Sequence, residues 1–274
     1  SAYIDGFYVG CTHSELGYTK TFKKMFVSLV ENAEVVTATE NARLYRELQV
    51  LRIDREPEKA LSEAEGLELA ERVSAHADRA LLLSDYEYGV IGDAVSRVAR
   101  DVASGVGRIA VLDPRRDVAR FEGLTAVTPN VGELSRFSGI EAERLDDPET
   151  LRGAAVALRR RLDLRHLLVT RGNLGAVLFD DGAPEGLWVE ASGTGEVTDV
   201  SGAGDTVAAV FTAALAAGAP APEALVCANA AAGVVVMESG AVACSLEDLS
   251  AALEGAPWPA EAPRPEPQRK DVEA

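Results

Sequence analysis

The run Asp199-Val200-Ser201-Gly202-Ala203-Gly204-Asp205-Thr206 leads directly into Val207, Val210, Phe211, Ala214 and Leu215. Apolar residues at i, i+3, i+4, i+7 and i+8 predict one face of a helix. Two glycines separated by a small residue therefore stand at the mouth of that helix. Such a turn aims backbone N–H groups outward, with the positive end of the helix dipole behind them, and makes an anion site. Asp205 falls in the first helical turn, beside the site. A carboxylate there suits a base acting on a nucleophile that attacks a phosphoryl group. A plain tight turn with an acidic first residue is the competing reading. Neither the P-loop pattern nor the dinucleotide GxGxxG pattern is present.

The rest of the chain narrows the setting. Its 274 residues, 47% of them hydrophobic, suffice for one α/β domain with a sizeable core. No apolar run is long enough for a membrane span and no leader pattern is visible. Cys11, Cys227 and Cys244 lie far apart and form no CxxC or zinc pattern, which favours a reduced, cytoplasmic setting. A net charge of −17 argues against nucleic acid and anionic membranes as partners. An acidic protein that handles phosphates must gather cations locally, or use magnesium.

Strand-like and helix-like segments alternate along the chain. A charged amphipathic helix is expected over 57–78, then a short buried strand, Ala80–Leu83, ending in Ser84-Asp85-Tyr86-Glu87-Tyr88-Gly89. A helix over 91–104 and a strand over Arg108–Leu112 follow, ending in Asp113-Pro114-Arg115-Arg116. Polar clusters at carboxyl ends of parallel strands are where α/β sheets bind ligands. Arg115 and Arg116 fit a phosphate held bidentately, or a solvated turn. Leu124–Thr128 reads as a strand, and Pro129-Asn130-Val131-Gly132-Glu133 opens a helix. Asn130 and Glu133 share one face of its first turn, as in a helix cap. After a helix over 148–161, His166–Thr170 and Ala176–Phe179 flank Arg171-Gly172-Asn173-Leu174-Gly175 and read as a hairpin. Residues 186–200 read as strands returning to the glycine motif. Pro220–Met237 is expected to be a helix burying Leu225, Ala228, Ala232, Val235 and Val236, and Leu246–Leu253 a last helix. Residues 256–274 hold five of the twelve prolines among charged residues and read as a flexible tail.

Together these motifs resemble the ribokinase-like (PfkB) carbohydrate kinases, most closely the branch that phosphorylates D-glycero-D-manno-heptose 7-phosphate. The resemblance covers about residues 34–254. It implies a three-layer α/β/α sandwich with a mostly parallel sheet and a small β lid, within one domain over 1–255. By resemblance Asp205 is the base, and the amides of Gly202, Ala203 and Gly204 form the anion hole. Asn130 and Glu133 match the Asn-x-x-Glu motif, which holds magnesium mostly through water and places the nucleotide phosphates. Thr170, Gly172 and Gly175 match the segment that approaches those phosphates, and Asn229 a position near the adenine. Asp5, Asp85, Asp113 and Arg115 match substrate-side positions. ATP and Mg2+ are the implied cofactors, and a sugar or sugar phosphate the implied small-molecule partner.

Departures from the family lie on the sugar side. The strand expected before residues 1–10 is absent, and no Gly-Gly segment follows where the family grips its sugar. Tyr88 stands where the branch has Lys, and Arg115 where it has Lys. Glu34–Thr39 and Arg43–Ile53 read as lid strands, or as a plain edge; a lid edge makes a homodimer plausible. The expected reaction is phosphoryl transfer from ATP to a sugar hydroxyl, best matched by the anomeric hydroxyl of the heptose phosphate. The alternatives are another sugar or a nucleoside, or a non-catalytic relative that keeps the ATP site.

Overall fold

A computed structural model of the chain describes residues 7–10, 61–76, 80–86, 89–193, 202–237 and 243–254. Asp5, Tyr88, the two lid runs and the tail lie outside the described residues. The described strands are β1 (Phe7–Gly10), β2 (Ala80–Ser84), β3 (Ile109–Asp113), β4 (Ala126–Val127), β5 (His166–Thr170), β6 (Ala176–Phe179) and β7 (Leu187–Val189). They form one sheet in sequential order. β1 to β5 run parallel, while β6 and β7 are antiparallel additions. The chain is thus α/β, and the expected β5–β6 hairpin is present.

The helices are α1 (Glu63–His76), α2 (Asp93–Ser104), α3 (Val131–Ser138), α4 (Pro148–Arg161), α5 (Ala203–Ala216), α6 (Ala221–Val235) and α7 (Leu246–Glu254). A parallel sheet wound in one direction places its crossover helices on one face. Here α1 to α4 pack there, against Leu81, Leu83, Leu112, Val127, Leu167 and Val169. The alternate residues Ala80, Leu82, Val111, Ala126 and Leu168 point to the other face, which α5, α6 and α7 cover. Both faces being buried, β2 runs apolar from Ala80 to Leu83 without alternation. The expected three layers are therefore realised, with residues 203–254 supplying one of them.

Four expectations are corrected. α5 is not buried on a single stripe: Thr206 to Thr212 are all buried, because the helix lies between the sheet and α6. In α6, Ala232 is only half-buried, as is the C-cap Val236, while Ala224, Ala231 and Gly233 are buried. Within 186–193 the strand is confined to Leu187–Val189, and the Leu124–Thr128 strand to Ala126–Val127. Thr125 and Thr128 flank it with backbone bonds of their own to β3, from the Thr125 amide to the Ala110 carbonyl and from the Thr128 amide to the Leu112 carbonyl, and their hydroxyls are bonded too: Thr125 Oγ1 accepts from the Ala110 amide, and Thr128 Oγ1 donates toward Asp113.

Candidate active site

α5 packs across β2 and β3. Its N-terminus thereby arrives at the carboxyl ends of those two strands. Gly202, the N-cap, has φ 82° and ψ −1°, a left-handed conformation that glycine adopts without steric cost. Gly202, being glycine, contributes no side-chain cap of its own. The first intrahelical bond is Thr206 N–H to the Gly202 carbonyl, 2.9 Å. Among the described residues, a Cβ built on Gly202 or Gly204 would meet nothing within 4 Å. The N–H groups of a first helical turn, with the positive end of the helix dipole behind them, have the chemistry of an anion site.

Asp205 projects from this turn, and the hydroxyl of Tyr86 donates to both of its carboxylate oxygens, at 2.8 Å each. The Arg115 guanidinium lies over the Tyr86 ring, 5.0 Å from its centroid. Arg115 also pairs with Glu133 at 3.3 Å. Glu133, only 5% exposed, accepts the Asn130 amide at 2.8 Å, and its own amide donates to the Asn130 side chain at 2.9 Å. That is a complete capping box on α3.

Beneath this surface Asp113 ends β3 at 8% exposure. It receives Thr128 Oγ1 at 3.3 Å and Ser84 Oγ at 3.4 Å. Burial, then the Asp205 charge, pushes its carboxyl up from 3.8 to about 8, against the pull of Arg115. Asp113 is therefore mostly protonated near neutral pH. Burial likewise raises Glu133, opposed by the Asn130 amide and Arg115.

Two cavities flank α3. One, of about 330 Å³, is lined by Tyr86, Arg115, Arg116, Arg136, Asn130 and Glu133. The other, of about 310 Å³, is lined by Asn130, Asp146, Thr170, Arg171 and Gly172, among others. Asn130 and Gly132 border both. In a chain of net charge −17, four arginines gather on these two walls.

The structure thus brings together Asp205, Asp113, Arg115, Glu133, Asn130, Thr170 and Gly172. Asp85 is half-buried at the same edge, its amide donating to the Asp113 carbonyl at 3.0 Å. Two predicted residues lie elsewhere. Asn229 donates to the Glu190 carbonyl at 2.8 Å and lines neither cavity. Gly175 meets its own chain: a Cβ there would fall 2.1 Å from the Val189 carbonyl oxygen. The Ala-rich run of α6 likewise serves a chain segment, since a Cβ on Gly233 would fall 2.7 Å from Ser192. Tyr86 and Arg136 were missed by sequence reasoning. The polar cluster after β2 was the available signal for Tyr86, and the position of Arg136, one turn beyond Glu133 on α3, for the other.

The donor set near α3 suits magnesium, which keeps several waters and needs few protein oxygens. Both Glu133 oxygens are already engaged, so the carboxylate and the Asn130 amide oxygen would hold the ion through water. Among the described residues no group of three or more His, Cys, Asp or Glu is arranged to hold a metal directly, and no helix is long and apolar enough to cross a membrane.

Solved structures of ribokinase-like sugar kinases share this fold. An Arabidopsis thaliana ribokinase complexed with ribose and ATP superposes with a TM-score of 0.56 at 24% identity, covering 73% of this chain and 61% of that one. Escherichia coli phosphofructokinase-2 in complex with potassium gives 0.60 at 23% identity, covering 71% and 63%. In sequence, the chain is 39% identical over 225 residues to the bifunctional protein HldE of Chromohalobacter salexigens, across 81% of this chain and 45% of that protein. The HldE protein of Caulobacter vibrioides is 39% identical over 208 residues, across 76% and 42%. The chain thus spans less than half the length of these relatives. Residues 107–249 match the pfkB family carbohydrate kinases, and the chain belongs to that family, whose members are phosphotransferases with an alcohol group as acceptor.

Proposed function

We propose that the chain transfers the γ-phosphoryl group of ATP to a sugar hydroxyl, and that its acceptor is D-glycero-D-manno-heptose 7-phosphate, phosphorylated at the anomeric position. The observation that carries the reading is Asp205 in the first turn of α5, bonded to Tyr86, which lines a cavity walled by Arg115, Arg116 and Arg136. The choice of heptose phosphate rests on the identity to the HldE proteins and on the motif resemblance. An arginine-walled cavity suits an acceptor that is itself phosphorylated.

In this mechanism an Asp205 oxygen accepts the proton of the acceptor hydroxyl. The freed oxygen bonds to the γ-phosphorus as the bond to the β-phosphate oxygen breaks, and ADP leaves. The amides at the mouth of α5 face the charge spread over the transferring group, and the arginines neutralise and orient the flanking phosphates. Asn130 and Glu133 would hold magnesium through water, and Thr170 and Gly172 would border the nucleotide phosphates. Magnesium, when bound, offsets charge on the phosphates. Asn229, tied to Glu190, would act near the adenine only by holding the 190–193 segment against α6.

The test is to incubate the protein with ATP, magnesium and a panel of sugars, sugar phosphates and nucleosides, following ADP release and locating the new phosphate by 31P NMR. The heptose phosphate is expected to give the highest kcat/KM, with an anomeric phosphate product. ADP release on no member of the panel would overturn the kinase reading; preference for another sugar would overturn only the acceptor.

A further inference from the structure

Tyr86 stands two residues beyond the end of β2, 119 positions from the aspartate it touches. Its hydroxyl is equidistant, at 2.8 Å, from both Asp205 oxygens. A carboxylate offers about four lone-pair sites. The phenol carries one hydrogen, so a contact shared by both oxygens fixes the carboxylate's orientation while using only part of its acceptor capacity.

The support behind this contact is firm. The backbone just before Tyr86 is fixed by the Asp85 amide on the Asp113 carbonyl, 3.0 Å. The ring carries the Arg115 guanidinium, which Glu133 holds in turn. Asp205 is thus connected through Tyr86 and Arg115 to Glu133 and Asn130, which line the same cavity. Geometry set by side chains that are themselves held is what a reacting group needs.

We propose that Tyr86 is a positioning residue: its hydroxyl, bonded to both Asp205 oxygens, holds the carboxylate in the orientation in which it receives the acceptor's proton. This rests on Asp205 being the base. The proton moves from the acceptor oxygen to Asp205, and the phenol keeps its own.

The variant Tyr86→Phe keeps the ring, its packing and its contact with Arg115, and removes only the hydroxyl. With the full chain, ATP, magnesium and the heptose phosphate, kcat is expected to fall about tenfold, the loss of one hydrogen bond to a charged group. KM for ATP should stay within about twofold, because the hydroxyl acts through Asp205 and not on the nucleotide. In an Asp205→Asn background the same change should cost nothing more, since it acts through that carboxylate. An unchanged kcat, or an equal loss in the Asn background, overturns the proposal. Should the wild-type protein phosphorylate no sugar, the kinase reading fails separately and the contact is read by 13C NMR. The Asp205 carboxyl resonance, identified by its loss in Asp205→Asn, should shift in Tyr86→Phe; an unmoved resonance also overturns the proposal.

Discussion

Asp113 shows how one buried side chain imposes a pH dependence on the fold. Its carboxyl is raised from 3.8 to about 8, so the folded state binds the proton more tightly than the unfolded chain does. Its contribution is complete below about pH 4 and is lost as pH rises toward 8. Asp113→Asn removes that slope. Urea denaturation should find the variant gaining stability relative to wild type at pH 9 and not at pH 5; parallel curves at both pH values would contradict the assignment. At the same scale Asp205 was legible in the sequence, because a glycine pair and a helical pattern announce a helix mouth locally. Tyr86 was not, because its partner lies 119 residues away and only the packing of α5 across β2 and β3 brings them together. Arg115 was named as a phosphate ligand, while its stacking on Tyr86 and its pairing with Glu133 needed the fold.

At the scale of elements, the glycines divide into two kinds that the sequence cannot tell apart. Gly175, at φ 85° and ψ −134°, lies in a region essentially reserved for glycine, and the 189–191 backbone fills the place of its Cβ. Gly175→Ala should destabilise the hairpin by about 3 kcal/mol or more, combining overpacking with backbone strain. Gly202→Ala meets nothing within 4 Å among the described residues and suffers only left-handed strain, about 1–2 kcal/mol, yet should lose most turnover as the helix mouth reorients. Urea midpoints and kcat for the two variants check this; equal stability losses would contradict it. The α3 capping box poses a similar question, because Asn130 serves the helix whether or not it serves a nucleotide. Asn130→Ser keeps a side-chain cap, so stability should hold within about 0.5 kcal/mol. If Asn130 also places magnesium and phosphates, titration calorimetry will show weaker ATP binding in the presence of magnesium. Unchanged binding reduces the residue to a cap.

Across the whole molecule, the alternation of strands with helices made the α/β class legible, and the polar clusters after β2 and β3 marked the binding edge. The sequence did not show that α1 to α4 share one face while α5 to α7 cover the other, because that follows from the winding of the sheet and not from any local pattern. For the same reason α5 looked amphipathic yet is buried nearly all round. A single domain with a lid over 34–54, and a homodimer through that lid, stay part of the proposed picture; sedimentation should give twice the 28.9 kDa chain mass if the dimer forms.

The account as a whole turns on Asp205, and the most direct measurement is turnover of Asp205→Asn beside its affinity for ATP. The predicted result is a fall in kcat of about 10²- to 10⁴-fold, the usual contribution of a general base, with ATP binding within about twofold of wild type. Retained turnover, or loss of ATP binding along with turnover, would contradict a base at the mouth of α5.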